Sequence, residues 1–326
     1  MNFKKMMFLM MMLMSTLITM SSTNWIGMWM GLEINLMSFI PFMSKNKNKN
    51  SSQAMMIYFL TQSIGSMIMM FSIMMNTLIM ITPTMVNEIL TIMMAMSLLI
   101  KMGGAPFHMW LPEVMANMNW MQCFMLMTWQ KMAPLSILMN LKPNWFMYLA
   151  MVMSTMAGAM GGLNQTSMRK IMAYSSINHL GWMMAMMSMQ MTWYIYMLIY
   201  MVMLLIIMIM FNNIYFLNQI NNSNPSLMDK MNMSMSLMSL GGLPPFIGFL
   251  PKWMVIQSMM YSNMMCIMIM SMMSLIILFY YMSMISSIML NYSSMNKWMK
   301  SKTSKMLWLI MLINLFLPIF SILPVF

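Results

Sequence analysis

The sequence predicts an all-α polytopic membrane protein, and three observations support this fold class. First, 61% of the 326 residues are hydrophobic, 6% are charged, and the mean hydropathy is +0.75. Soluble domains carry roughly 25% charged residues, so this composition excludes both a water-soluble enzyme and a disordered chain. Second, the apolar runs are long and do not alternate with polar residues, which argues against a β-barrel. Third, at about 20 residues per spanning helix, the length accommodates about ten to twelve helices.

Eleven apolar segments have the length of membrane-spanning helices. The first follows Lys4 and Lys5, and no small-residue cleavage site comes after it, so we interpret it as a retained helix and not as a signal peptide. The segments lie at about 4–21, 24–43, 55–80, 88–117, 121–141, 144–162, 170–190, 192–216, 228–260, 263–290 and 305–324.

The distribution of basic residues tests this segmentation. With the N-terminus on one side of the membrane, that side receives twelve basic residues and the opposite side receives Lys142 alone. The positive-inside rule then places the N-terminus in the matrix or cytoplasm. The twelve residues are Lys4, Lys5, Lys45, Lys47, Lys49, Arg169, Lys170, Lys230, Lys297, Lys300, Lys302 and Lys305.

Four charged residues fall near the middle of predicted spans: Glu33, Lys101, Lys131 and Lys252. A charge at the membrane centre costs at least about 2.5–3.5 kcal/mol on insertion scales, and such residues mark ion or proton pathways. One alternative is a structural Lys–Glu pair that locks two helices together. That alternative accounts for two of the charges and leaves two lysines unexplained, whereas a proton or cation path accounts for all four.

Two segments are too long for one straight span, and both contain helix breakers at their centres. The first reads KMGGAPFHMWLPE at 101–113, and the second reads LGGLPPFIGFLPK at 240–252. Their glycine pairs lie 138 residues apart, and five spans separate the two segments, so the copies face opposite ways. Paired interrupted helices are typical of transporter ion sites; chance similarity of Gly and Pro punctuation is the alternative. We therefore predict inverted five-helix repeats at 1–142 and 143–290, followed by a basic loop and C-terminal helix at 291–326.

The sequence shows no means of holding a redox cofactor. Cys123 and Cys266 are too few for an iron–sulfur cluster, and no dinucleotide-binding or phosphate-loop motif is present. The 72 methionines suggest Cu(I) ligation as one function. Because they are spread through every span where Leu or Ile would stand, adaptable apolar filler is the better interpretation. A genetic code that reads AUA as Met, as animal mitochondria use, would produce this bias.

Several motifs resemble one known family. GLEINLMSFIPFM at 31–43, KMGGAPFHMWLPEV at 101–114, TWQKMAPL at 128–135, SSINHLGWMM at 175–184 and GGLPPFIGFLPKW at 241–253 look like the mitochondrial chain 2 family of NADH-ubiquinone oxidoreductase. That family belongs to the antiporter-like subunits of respiratory complex I. The resemblance covers almost the whole chain at matching spacings.

The resemblance implies a role for each motif residue. It implies that Glu33 is the mid-membrane glutamate that pairs with Lys101, that Lys131 is the central connecting lysine, and that Lys252 exchanges protons with the outer side. It places His179 on the hydrated axis, and His108 follows the first break. The expected proton-translocation residues are therefore Glu33, Lys101, Lys131, Lys252, His179 and His108.

The same resemblance implies a proton-translocating subunit that holds no cofactor itself. FMN, iron–sulfur clusters and ubiquinone are expected in partner subunits, and the expected location is the mitochondrial inner membrane, with the N-terminus in the matrix and the C-terminus in the intermembrane space. Expected partners are other complex I membrane subunits, including neighbouring antiporter-like ones, and anionic lipids such as cardiolipin at the basic loop 297–305. The alternative function is a self-contained cation/proton antiporter.

Overall fold

The computed structural model describes residues 3–44, 49–78, 85–141, 144–221 and 227–290. Thirteen α-helices occupy most of these residues, and no strand occurs among them. The fold class predicted from composition is therefore confirmed at the level of an all-helical protein. The predicted C-terminal helix at 305–324 lies outside the described residues, as do several of the lysines used to predict orientation.

The chain forms two compact units, Met1–Gln190 and Met191–Phe326. The first unit contains nine helices among its described residues: α1 Phe3–Ser21, α2 Trp25–Met43, α3 Lys49–Leu78, α4 Met85–Met102, α5 Trp110–Ala116, α6 Trp120–Met127, α7 Trp129–Met139, α8 Trp145–Leu163 and α9 Met168–Ser188. The second contains four within 191–221 and 227–290: α10 Trp193–Asn221, α11 Leu227–Gly241, α12 Phe249–Met259 and α13 Met264–Leu290.

Five helices in the described part of the chain are long and apolar enough to cross a membrane: Trp25–Met43, Lys49–Asn76, Trp145–Leu163, Trp193–Phe211 and Met264–Ser287. Their surfaces agree with that environment, because large apolar side chains are exposed along them, including Met67 at 73% and Met265 at 80%. Other methionines, such as Met12 and Met183, are completely buried. Methionine thus fills interior and exterior positions alike, as an adaptable apolar residue does.

Three predicted segments are each divided into two helices. Segments 88–117 and 228–260 break at their Gly/Pro motifs, as expected from the loss of backbone donors at proline. Segment 121–141 also divides, between α6 and α7 at Thr128, which the sequence analysis did not predict. Pro134 lies inside α7 and cannot donate a backbone hydrogen bond to the carbonyl of Gln130, so this helix is weakened near its start.

Helices α8 and α9 pack closely and run antiparallel through glycine contacts. A Cβ at Gly158 would lie 2.7 Å from the backbone nitrogen of Asn178 and 2.7 Å from the carbonyl oxygen of Tyr174. A Cβ at Gly181 would lie 2.4 Å from Cγ2 of Thr155. Small residues allow helix backbones to approach in this way, which is the main means of helix association in lipid. The pair forms a rigid support for the polar residues of α9.

Candidate functional site

The first helix break follows α4 and is closed by hydrogen bonds to the last-turn carbonyls. Gly103 has φ +72°, a left-handed conformation that favours glycine. Its N–H donates to the carbonyl of Ile100 at 3.3 Å, and the N–H of Gly104 donates to the carbonyl of Leu99 at 2.9 Å. The indole Nε1 of Trp110 also donates to the Ile100 carbonyl, at 3.1 Å. The break is therefore a defined cap, with α5 held against the end of α4.

Lys101 lies at the end of α4 and forms an ion pair with Glu33 of α2. The Nζ–Oε1 distance is 3.6 Å, and the side chains are 3% and 25% exposed, respectively. Gln62 of α3 donates to the backbone carbonyl of Lys101 at 3.0 Å. A Cβ at Gly65 would lie 3.0 Å from Cγ of Lys101, so this glycine gives the aliphatic stem room beside α3. Three helices thus position one buried ammonium group.

The second break lies between α11 and α12 in the second unit. Gly242 has φ +82°, and the Nζ of Lys252 donates to the carbonyl of Gly241 at 2.7 Å. A Cβ at Gly242 would lie 2.9 Å from that Nζ atom. Lys252 is 4% exposed. The glycine therefore allows both the turn of the backbone and the approach of the lysine to the end of α11.

The backbone relates the two breaks with an offset one residue larger than the glycine pairs suggest. Helices α4 and α11 end 139 residues apart, α5 and α12 begin 139 residues apart, and the left-handed glycines are Gly103 and Gly242. In this register Lys252 corresponds to Glu113, and Lys101 has no lysine equivalent. One lysine therefore precedes its break and the other follows its break, so the two lysines are not repeats of one position.

Lys131 is 1% exposed and lies on α7, three residues after the irregularity at Thr128. Its Nζ donates to the backbone carbonyl of Ser176 on α9 at 3.0 Å. His179, which is 4% exposed, lies less than one turn further along α9. The structure therefore attaches the central lysine to the helix that carries the predicted histidine, and not directly to the Glu33–Lys101 pair.

His108 has a different environment from the other predicted residues. It lies in the first break, where its Nδ1 is 3.2 Å from the carbonyl of Pro106. Its ring meets that of Tyr174 edge-on, with centroids 6.4 Å apart. His108 is half-buried, and its neighbours Phe107 and Met109 are exposed. These contacts tie His108 to the outer part of the break.

Four uncharged polar residues accompany the predicted charges and were missed by sequence reasoning. Tyr58 donates to Oε1 of Gln130 at 3.2 Å, and Nε2 of Gln130 donates to Oδ1 of Asn35 at 3.0 Å; Gln62 holds the end of α4. Their signal was available, because each is a hydrogen-bonding side chain inside an apolar span that also carries, or packs beside, a central charge.

Comparison with known proteins agrees with this arrangement. A family model described as "NADH:quinone oxidoreductase/Mrp antiporter, TM" matches residues 22–278. The NADH-ubiquinone oxidoreductase chain 2 of Anopheles gambiae is 46% identical over 308 residues, which cover 90% of this chain and 88% of that protein. The chain belongs to the NADH-ubiquinone oxidoreductase chain 2 family. It is accordingly a multi-pass membrane protein, and the motifs that suggested the chain 2 family are confirmed as markers of it.

Solved structures share the chain 2 fold at low sequence identity. A chain of respiratory complex I from Thermus thermophilus with bound aureothin is 17% identical, with a TM-score of 0.74 over 88% of this chain and 71% of that chain. A chain of the Mrp complex from Dietzia sp. DQ12-45-1b is 14% identical, with a TM-score of 0.75 over 84% of this chain and 58% of that chain. At these identities the matches establish a common fold.

Proposed function

We propose that this chain is a proton-translocating, antiporter-like membrane subunit of respiratory complex I. The observation that carries the proposal is the buried Glu33–Lys101 pair at the end of a broken helix. In this role the chain couples electron transfer in partner subunits to proton movement across the membrane. Its family membership supports the assignment, and the two further buried lysines, Lys131 and Lys252, supply additional charge stations.

The pair supplies a control element because its energy depends on the distance between the two charges. At 3.6 Å, the attraction between Glu33 and Lys101 is about 5 kcal/mol at an effective dielectric of 20 and about 1 kcal/mol in water. Increasing the separation removes much of this attraction and destabilises the ammonium of Lys101, which favours release of its proton. A small movement of α2 against α4 therefore changes the protonation equilibrium of Lys101.

The other two lysines are supported by backbone carbonyls. Lys131 donates to Ser176 and Lys252 donates to Gly241. Hydrogen bonds that involve a charged group are roughly twice as strong as neutral ones, so each carbonyl stabilises the protonated lysine. In the proposed path the proton released near Lys101 reaches Lys131 and then Lys252, and His179 and His108 serve as additional proton-exchanging groups.

The proposal extends to the architecture predicted from the sequence. It includes eleven spanning segments, inverted five-helix repeats at 1–142 and 143–290, and a final basic loop and helix at 291–326. The similar course of the two breaks, with left-handed glycines at Gly103 and Gly242, supports the repeat. The twelve-to-one distribution of basic residues supports an N-terminus in the matrix and a C-terminus in the intermembrane space.

The assembly follows from the same assignment. We place the chain in the mitochondrial inner membrane beside other complex I membrane subunits, including antiporter-like neighbours, with anionic lipid such as cardiolipin at the basic loop. FMN, iron–sulfur clusters and ubiquinone belong to partner subunits in this proposal. Native electrophoresis of a mild-detergent extract should place the chain in a very large NADH-oxidising band. Its recovery only as a free monomer or dimer would contradict this assembly.

A self-contained cation/proton antiporter is the second candidate, because the matching family model also covers Mrp antiporters and the fold matches a chain of the Mrp complex. The carboxylate content weighs against it, since the chain has four acidic residues and Glu33 is the one placed beside a buried lysine. Vesicles containing the purified chain alone distinguish the two functions. Sodium-dependent proton exchange by the chain alone would favour the antiporter, whereas proton uptake that requires NADH and the whole complex would favour the subunit.

A further inference from the structure

A network of uncharged polar side chains lies between the α2 region of Glu33 and the α7 region of Lys131. At its centre is Gln130, whose Oε1 accepts from the hydroxyl of Tyr58 at 3.2 Å and whose Nε2 donates to Oδ1 of Asn35 at 3.0 Å. The Sδ of Met12 lies 3.5 Å from the same Nε2 atom. One amide thus joins four helices of the first unit through its two polar atoms.

The Tyr58 ring is fixed between two other aromatic rings. Its centroid lies 5.1 Å from that of Phe39 on α2 and 5.9 Å from that of Trp110 on α5. Trp110 in turn donates to the carbonyl of Ile100 at the first break. Aromatic pairs at these distances have preferred orientations, so Tyr58 is coupled mechanically to the break. Its hydroxyl, which also interacts electrostatically with Glu33, reports the position of that break to Gln130.

The spacing along the chain connects this network to two charge stations. Gln130 immediately precedes Lys131, and Asn35 is two residues after Glu33. A shift of α2 that changes the Glu33–Lys101 distance also moves Asn35, because both acceptors belong to the same helix. The hydrogen bond from Gln130 to Asn35 transmits that shift to α7. The break at Thr128 and the weakened first turn of α7 leave this helix start able to respond.

We propose that Gln130 is a positioning residue that couples the state of the Glu33–Lys101 pair to Lys131, with Tyr58 and Asn35 as its two anchors. This inference rests on the proposed function, since it assumes that both sites belong to one proton path. Gln130 itself transfers no proton, because an amide is a poor proton carrier. It sets the place of the Lys131 ammonium relative to Ser176 according to the place of Glu33.

The test uses the assembled complex in sealed vesicles and measures NADH-driven proton uptake. Gln130→Met keeps the side-chain volume and removes both hydrogen bonds, and Tyr58→Phe removes one hydroxyl and keeps the clamped ring. We expect Gln130→Met to lower the rate of proton uptake about fivefold, which is the size of effect that the loss of ordinary hydrogen bonds produces. Tyr58→Phe should give a smaller loss in the same direction.

Gln122→Met is the matched control. Gln122 is a buried glutamine on α6 that donates to the carbonyls of Phe42 and Met43, away from the two lysines. Its loss should lower the amount or thermal stability of the complex, while the uptake rate per assembled complex stays at the wild-type value. An equal reduction in uptake rate for Gln122→Met and Gln130→Met would overturn the proposal.

A double variant separates coupling from simple structural damage. If Gln130 transmits the state of Glu33, Glu33→Gln/Gln130→Met should take up protons no more slowly than Glu33→Gln alone, because the signal is already lost. Additive losses would overturn the inference. Lys131→Met distinguishes the two levels of proposal. Normal uptake by Lys131→Met would refute the proton path itself, whereas loss in Lys131→Met with normal uptake in Gln130→Met and Tyr58→Phe would refute the coupling role alone.

Discussion

Replacing Glu33 with Gln removes the charge that faces Lys101 and leaves the side-chain volume nearly unchanged. The Nζ–Oε1 distance of 3.6 Å sets the attraction between about 1 kcal/mol in water and about 5 kcal/mol at an effective dielectric of 20. Because a quarter of the Glu33 side chain is exposed, solvent screens the pair, and we place the lost attraction at about 2 kcal/mol. This energy changes the protonation equilibrium of Lys101 by a factor of about 30.

The assay is NADH-driven proton uptake by the intact complex in sealed vesicles, with NADH oxidation followed in the same sample. We expect the Glu33→Gln complex to assemble and to take up protons at least several times more slowly than the wild type. Glu88→Gln is the matched control, because Glu88 is an exposed carboxylate in the first turn of α4 and the chemical change is the same. Its proton uptake should equal that of the wild type.

The double variant Glu33→Gln/Lys101→Met tests whether the pair acts as a unit. Removing one partner leaves a buried uncompensated charge, whereas removing both does not. The double variant should therefore assemble better than Glu33→Gln, while its proton uptake stays low. Wild-type rate and proton yield in an assembled Glu33→Gln complex would refute the control role that we assign to this pair.

Three further predictions concern the breaks, the packing and the orientation. Gly242→Ala should destabilise the protein by about 1–2 kcal/mol and lower proton uptake, because the new Cβ would lie 2.9 Å from Nζ of Lys252; Gly241→Ala, whose Cβ would meet its nearest atom at 3.5 Å, should leave both unchanged in thermal unfolding and vesicle assays. Gly158→Ala should cost about 1–3 kcal/mol of stability by forcing α8 and α9 apart, measured by thermal denaturation. Protease added to organelles with an opened outer membrane should cleave near Phe326 and spare the lysine-rich loop at 45–49, and the reverse pattern would contradict the orientation.

The membrane class, the two Gly/Pro breaks and the central charges were accessible from the sequence because each depends on local chemistry. Long apolar runs require a lipid environment, and proline cannot complete a helical hydrogen-bond ladder. The offset of the repeat was not accessible from the glycine pairs. In GG, either glycine can adopt the left-handed conformation, and the structure selects the first at Gly103 and the second at Gly242.

The division at Thr128 and the partners of the lysines depend on tertiary packing. Thr128 lies in an apolar run with no glycine pair, so the sequence indicates no break before the proline that follows at Pro134. Lys131 bonds to a backbone carbonyl of a helix about 45 residues away, and no side-chain pattern identifies such a partner. The Glu33–Lys101 contact was expected from the family resemblance, because composition and spacing do not specify which of three lysines faces the glutamate.

The different acceptors of the three lysines indicate where control of the proton path resides. The carbonyls that accept from Lys131 and Lys252 belong to helix backbones, so their dipoles can be neither neutralised nor turned away without disrupting α9 or α11. The carboxylate that faces Lys101 can be moved by a change of rotamer, by a shift of α2 or by protonation. Lys101 is therefore the station whose partner can change within the folded state. A mechanism controlled there requires a connection from Glu33 to Lys131, and the hydrogen bonds of Gln130 supply one through Asn35 and Tyr58.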